Sequence, residues 1–159
     1  MKGEPAERLD PRAITVWRIT GLLNLLPLFV GAGFVGWALV RFGDVSLFVA
    51  VLPVLAVLVL GFVVAGVAPG LRWRRWRYEI RPDEVDLQRG ILWIGRTLVP
   101  LARIQHVDTR QGPLQRRFGL STVVFYTAAG PNQIPELSTP IAAEVRDRIA
   151  ALTGEQDEL

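Results

Sequence analysis

The chain has no cysteine and a single histidine, His106; of its 18 basic residues, all but Lys2 are arginine. Without cysteine there can be no disulfide, no thiolate nucleophile and no Cys-based metal site. That is consistent with a reducing compartment. Charge is missing in a more informative place. No Asp, Glu, Lys or Arg lies between Arg18 and Arg41, and none between Asp44 and Arg72. Residues 19–40 and 45–71 are therefore two charge-free runs, separated only by Arg41-Phe42-Gly43-Asp44. A helix needs roughly 20 apolar residues to cross about 30 Å of hydrocarbon. Lipid offers backbone groups no water, so the helix is the expected form. Residues 19–71 are read as a membrane hairpin of two transmembrane helices. The first run is longer than a signal-peptide apolar core and lacks a small-x-small cleavage site, so it is read as a retained span.

The absence of ionisable groups inside both runs removes the usual residues of a proton relay or ion path. Pro27 and Pro53 fall inside the spans and Pro69 near the end of the second, where each removes a backbone donor and predicts a local kink. Small residues recur at four-residue spacing in Ala32/Gly36, Gly61/Ala65 and Gly66/Gly70. Such pairs allow close helix contact, either within the hairpin, the preferred reading, or between copies. Gly31-Ala32-Gly33-Phe34-Val35-Gly36 matches G-x-G-x-x-G literally, but the dinucleotide site needs a preceding strand. Inside a span the match is discarded.

Charge returns asymmetrically. Lys2, Arg8, Arg12 and Arg18 precede the first run; Arg72, Arg74, Arg75 and Arg77 follow the second; the turn has Arg41. The positive-inside rule then predicts that both termini are cytoplasmic, with Arg41–Asp44 outside. Trp17, Trp37, Trp73 and Trp76 lie near the predicted interfaces, where amphipathic rings anchor spans. Net charge is only +3, and the basic residues concentrate next to the membrane, which argues against a nucleic-acid partner.

Beyond the spans the period changes. Residues 72–80 are read as a strand with Trp76, Tyr78 and Ile80 on one face and Arg75, Arg77 and Glu79 on the other. Arg81-Pro82-Asp83-Glu84 suits a type I turn. Residues 91–99, broken by Gly95, and 104–111 are further strands. Ile104 and Val107 are out of phase, which predicts a bulge. Pro113 to Gly119 reads as a short helix with Leu114 and Phe118 inward and Arg116 and Arg117 outward. Residues 120–128 form a strand buried on both faces, Gly130-Pro131-Asn132 a turn, and 134–137 a last short strand. Thr139-Pro140 opens an amphipathic helix with Ile141, Val145, Ile149 and Leu152 as its apolar stripe, a Glu144/Arg148 pair, and Gly154 as its stop. The domains are thus an N-terminal arm (1–18), the hairpin (19–71), a small mainly-β domain with a C-terminal helix (72–154) and an acidic tail (155–159).

The order of segments in this second half is that of a known family. Tyr78-Glu79-Ile80, Gly90-Ile91-Leu92, Val99-Pro100-Leu101-Ala102-Arg103-Ile104-Gln105-His106-Val107, Gln111-Gly112-Pro113-Leu114-Gln115-Arg116-Arg117-Phe118-Gly119-Leu120 and Thr127-Ala128 resemble the YdbS-like family of bacterial membrane proteins. Those proteins carry a pleckstrin-homology-like (PH-like) domain. The resemblance extends over nearly the whole chain and implies paired spans, then a seven-stranded PH-like barrel with a C-terminal capping helix. It implies no catalytic activity and brings no ligand. The motif residues Arg103, Ile104, Gln105, Val107, Gln111, Leu114, Gln115, Arg116, Phe118 and Gly119 are read as structural or as partner contacts. The short segment after Ala128 predicts a reduced last hairpin.

No constellation for chemistry is visible. His106 has only Asp108 near it in sequence and is read as a surface or edge-strand residue. Asp83, Glu84 and Asp86 are read as a solvated hairpin turn in preference to a cation site, and Ser138 and Thr139 as capping residues. There is no P-loop. No metal and no cofactor is expected. The strongest chemical feature is Arg72, Trp73, Arg74, Arg75, Trp76 and Arg77. Arginine binds phosphate with a planar fork, and each juxtamembrane base gains about 1 kcal/mol near anionic lipid. This predicts a topology anchor or a lipid-headgroup site, Arg103, Arg116 and Arg117 being candidate extensions. The expected partners are anionic inner-leaflet lipids and a membrane protein or a second copy of the chain. The function read from sequence is a non-enzymatic, membrane-anchored binding module, with an assembly or scaffold subunit as the alternative.

Overall fold

A computed structural model describes residues 3–43 and 45–157. Lys2, Asp44 and the last two residues of the acidic tail lie outside the described residues, as do the side chains of 155–157. The chain divides into two compact units: Trp17–Gly70, and the residues up to Val16 together with those from Leu71 onward.

The first unit is helical. Helix α1 spans Ala13–Phe42, and α2 (Leu47–Gly61) leads through a π-helical turn (Phe62–Val67) into α3 (Ala68–Arg75). Both helical runs are long and apolar enough to cross a membrane. Large apolar side chains such as Leu22, Leu26, Phe34, Leu52, Leu58 and Phe62 stand exposed on them, as lipid-facing residues must. The buried positions are mainly small: Ala32, Ala50, Val57 and Ala65. A Cβ at Gly36 would come within 2.6 Å of the Ala50 carbonyl oxygen, and one at Gly21 within 3.2 Å of the Val64 side chain. Ala32/Gly36 and Gly61/Ala65 therefore pack the hairpin seam, whereas Gly70 has nothing within 4 Å. The irregularity falls before Pro69. A proline ring collides with the carbonyl four residues back, and here the Ala68 N–H bonds Val63 O, five residues back, in the wider π pattern.

The second unit holds seven strands among the described residues: β1 (Glu7–Arg8), β2 (Arg77–Ile80), β3 (Glu84–Arg89), β4 (Gly95–Pro100), β5 (Ile104–Arg110), β6 (Leu120–Thr127) and β7 (Gly130–Ser138). They form two antiparallel sheets, β1-β2-β3-β4 and β5-β6-β7. Among the described residues no ladder joins these into a closed barrel. Pro100, which lacks an N–H, and the 3-10 turn Leu101–Arg103 interrupt the chain between them. Helix α4 (Pro113–Phe118) links β5 to β6, and α5 (Thr139–Asp157) packs on β5, β6, β7 and the 3-10 turn. The core is Trp76, just before β2, with Tyr78, Ile80, Val85 and Leu87 from one sheet, Leu120, Val123, Phe125, Ile134 and Leu137 from the other, and Val145 and Ile149 from α5. The expected bulge is present as a register shift between Ile104 and His106.

Several expectations change. The strand read over 72–80 starts only at Arg77, because Arg72, Arg74 and Arg75 continue the helix. Arginine is a good helix former, and cations suit a helix C-terminus. Residues 91–94 are a loop, and β4 starts at Gly95. The last hairpin is full length, with β7 nine residues long. Helix α5 continues through Gly154, which is not one of the glycines with positive φ. Its inward residue near the start is Ala142, while Ile141 is 46% exposed. Arg148 turns from Glu144 to the Ile80 carbonyl, donating at 3.2 Å. Asp86 is not solvated: it is fully buried, and Arg96 grips it through Nε and Nη2 at 2.9 and 2.5 Å, with Arg81 at 3.3 Å.

The arm is part of the domain. Residues Glu7 and Arg8 pair with Tyr78 and Arg77. The Asp10 N–H donates to Glu136 O at 3.1 Å, Arg96 donates to Gly3 O at 2.8 Å, and Arg12 Nη1 donates to Phe118 O at 2.8 Å. One short polar segment thus bonds to both sheets and to the end of α4.

Candidate functional site

The six residues from Arg72 to Arg77 separate into four environments. Trp76, at 3% exposure, is core. Trp73 donates from Nε1 to Leu9 O at 2.9 Å, and the Arg8 guanidinium lies 5.8 Å over its ring. It is the anchor of the arm. Arg77 is half-buried beside Glu4 at 3.7 Å, and the buried Glu136 carboxylate acts electrostatically on Arg72. Arg74 and Arg75 are exposed and form no ion pair among the described residues. Being on the last turn of α3, they are the part of the cluster open to an anion.

Beside them is a cleft of about 260 Å³ lined by Arg72, Trp76, Arg89, Gly90 and Ile91. Arg89 is exposed at the end of β3 and, among the described residues, has no acidic partner. The sequence reading missed it, and it missed the loop that follows. The available signal was a run of four apolar residues, 91–94, between Gly90 and Gly95, where a hairpin loop is ordinarily polar.

The motif residues have a different job. Gln111 Nε2 donates to Leu120 O at 2.8 Å and to Thr139 Oγ1 at 3.3 Å. Gln115 accepts from the Gly112 N–H at 3.0 Å and donates to Thr122 Oγ1 at 2.8 Å. Gly119 ends α4 at φ +65°, a left-handed conformation, and its carbonyl accepts the Thr139 N–H at 3.0 Å. These bonds fasten α4 to β6 and to the start of α5. Leu114 and Phe118 are half-buried on that turn, and Arg116 and Arg117 face solvent. Val107 is half-buried on β5.

Arg103, Ile104 and Gln105 line an open cleft of about 690 Å³ with Ala102, Thr127, Ala128 and Ala129. Farther along β5, His106 stacks on its cross-strand partner Tyr126 with ring centroids 4.2 Å apart. Its Nε2 is 3.7 Å from Asp108, and both are more than half exposed. Arg110 bonds the Tyr126 hydroxyl from the same face. Among the described residues no group of three His, Asp or Glu side chains comes together as a metal site.

Residues 22–153 match the family model described as the bacterial PH domain. The chain belongs to that family. It is 33% identical to the transmembrane protein YdbS of Bacillus subtilis over 99% of both chains. It is 30% identical to the transmembrane protein YdbT of the same organism over 60% of this chain and 19% of that one. No solved structure matches. A bacterial PH domain of the YdbS kind thus accounts for the two sheets and the C-terminal helix. The exposed apolar helices and the full-length likeness to YdbS make this a transmembrane protein.

Proposed function

We propose that this protein is a non-enzymatic binding module anchored in the bacterial inner membrane, whose PH-like domain engages anionic lipid headgroups on the cytoplasmic face. The observation that carries the reading is the pair Arg74 and Arg75, exposed and unpaired among the described residues, three and four positions beyond a charge-free run. A guanidinium near an anionic surface gains about 1 kcal/mol, and nothing offsets that here with an internal carboxylate. Arg89 adds a third open base. The positive-inside distribution supports a cytoplasmic domain and termini.

The test is lipid analysis of the full-length protein purified in mild detergent. Anionic lipid should be enriched over its share of the membrane, and Arg74→Glu with Arg75→Glu should abolish the enrichment. Co-purified lipid that mirrors the bulk membrane in both proteins would contradict the reading.

A second role, as an assembly or scaffold subunit, draws on β5. It is the edge of its sheet, and His106, Asp108 and Arg110 are exposed along it. An open edge is a template for strand addition. Crosslinking in native membranes that returns only monomer would count against it.

A further inference from the structure

Between β3 and β4 the domain presents Leu92, Trp93 and Ile94 to solvent at 84%, 88% and 55% exposure. Three consecutive large apolar side chains at a loop tip have no role in this core. Trp93 is the most exposed of the tryptophans, since Trp76 is core and Trp73 is bonded to the arm. The loop is nevertheless a built feature. Gly90 has φ +144°, and a Cβ there would run into the Trp93 carbonyl, so the turn closes on itself around a glycine. The tip is rimmed by Arg89, exposed and without an acidic partner among the described residues. Its base, Gly90 and Ile91, shares a cleft with Arg72, the first charged residue after the apolar run of 45–71.

We propose that residues 92–94 form a second membrane contact, inserting into the headgroup–acyl boundary of the bilayer that holds the spans. Tryptophan prefers that boundary because its ring is apolar and its N–H polar. Leucine and isoleucine supply area for the acyl side, and arginine at the rim complements anionic headgroups. Exposed apolar patches rimmed by polar residues mark interaction sites. A bilayer fits this one because the patch is a narrow tip of three side chains with a basic rim, its base sharing a cleft with Arg72.

The proposal goes beyond Arg74 and Arg75 and stands apart from any preference for anionic lipid. The chain has no cysteine, so Leu92→Cys gives a unique thiol while leaving Trp93 in place. A nitroxide at that position in the full-length protein, reconstituted in vesicles, should become accessible to oxygen and lose access to an aqueous nickel chelate. A nitroxide at Asp147→Cys, on an exposed polar position of α5, should stay open to the chelate. Equal chelate access at both positions would overturn the proposal. So would a Leu92→Cys label shielded from oxygen and chelate alike, the signature of a protein partner. Insertion into neutral and anionic vesicles equally would keep the loop contact while counting against the anionic-lipid function.

Discussion

Gly119 is the residue on which the motif segment turns. Its left-handed φ of +65° costs a side-chain-bearing residue about 1–2 kcal/mol. Gly119→Ala should therefore lower unfolding free energy by about that amount, measured by thermal or denaturant melting in detergent. Asp86 is the other exacting position. Fully buried against Arg96 and Arg81, it cannot lose its charge without breaking the bonds that Arg96 donates to it from Nε and Nη2. Asp86→Ala should cost about 3 kcal/mol, the low end for a broken buried pair because the arginines reach solvent. Asp10 supplies a pH signature. Its hydrogen bonds from Arg12 hold its carboxyl below the ordinary 3.8, against a smaller opposing effect of burial. A depressed carboxylate stabilises the fold above its unfolded pKa, and that contribution is lost as pH falls through the lower folded value. The stability gap between the parent and Asp10→Asn should thus be constant at neutral pH and close on acidification below 3.8. A gap that stays constant into acid would contradict the assignment.

Elements differ in how far their sequence announces them. The spans are legible from absent charge alone, and α4 from Pro113 and Gly119, because those signals are local. Strand β6 is legible because an apolar β-branched and aromatic run suits a strand covered on both faces. Phe125→Ala, at its buried centre, should cost about 3–5 kcal/mol. The polar arm was not legible. Two strand residues, Glu7 and Arg8, carry no periodicity, and their pairing partner is about seventy positions away in sequence, beyond both spans. The cluster at 72–77 was half legible. Composition marks it as basic and aromatic, but whether Trp76 faces a headgroup or a core depends on β2 pairing with β3, a non-local fact. The loop at 91–94 was hidden by its own hydrophobicity, which imitates a strand.

For the whole molecule the decisive property is that the second compact unit is assembled from chain on both sides of the hairpin. An N-terminal strand and a domain that begins after the second span can pair only if both lie on one side of the membrane. Thiols introduced at Gly3 and Gly154 should accordingly react with an impermeant reagent from the same side, and a thiol at Gly43 from the other. The function proposed for this domain is contact with anionic lipid. Hydrogen–deuterium exchange of the full-length protein in nanodiscs tests that most directly, by comparing anionic with neutral bilayers. The expected result is added protection in the anionic bilayer confined to the arginine-bearing segments, residues 72–77 and the turn at Arg89. Exchange that is identical in both bilayers across those segments would contradict it.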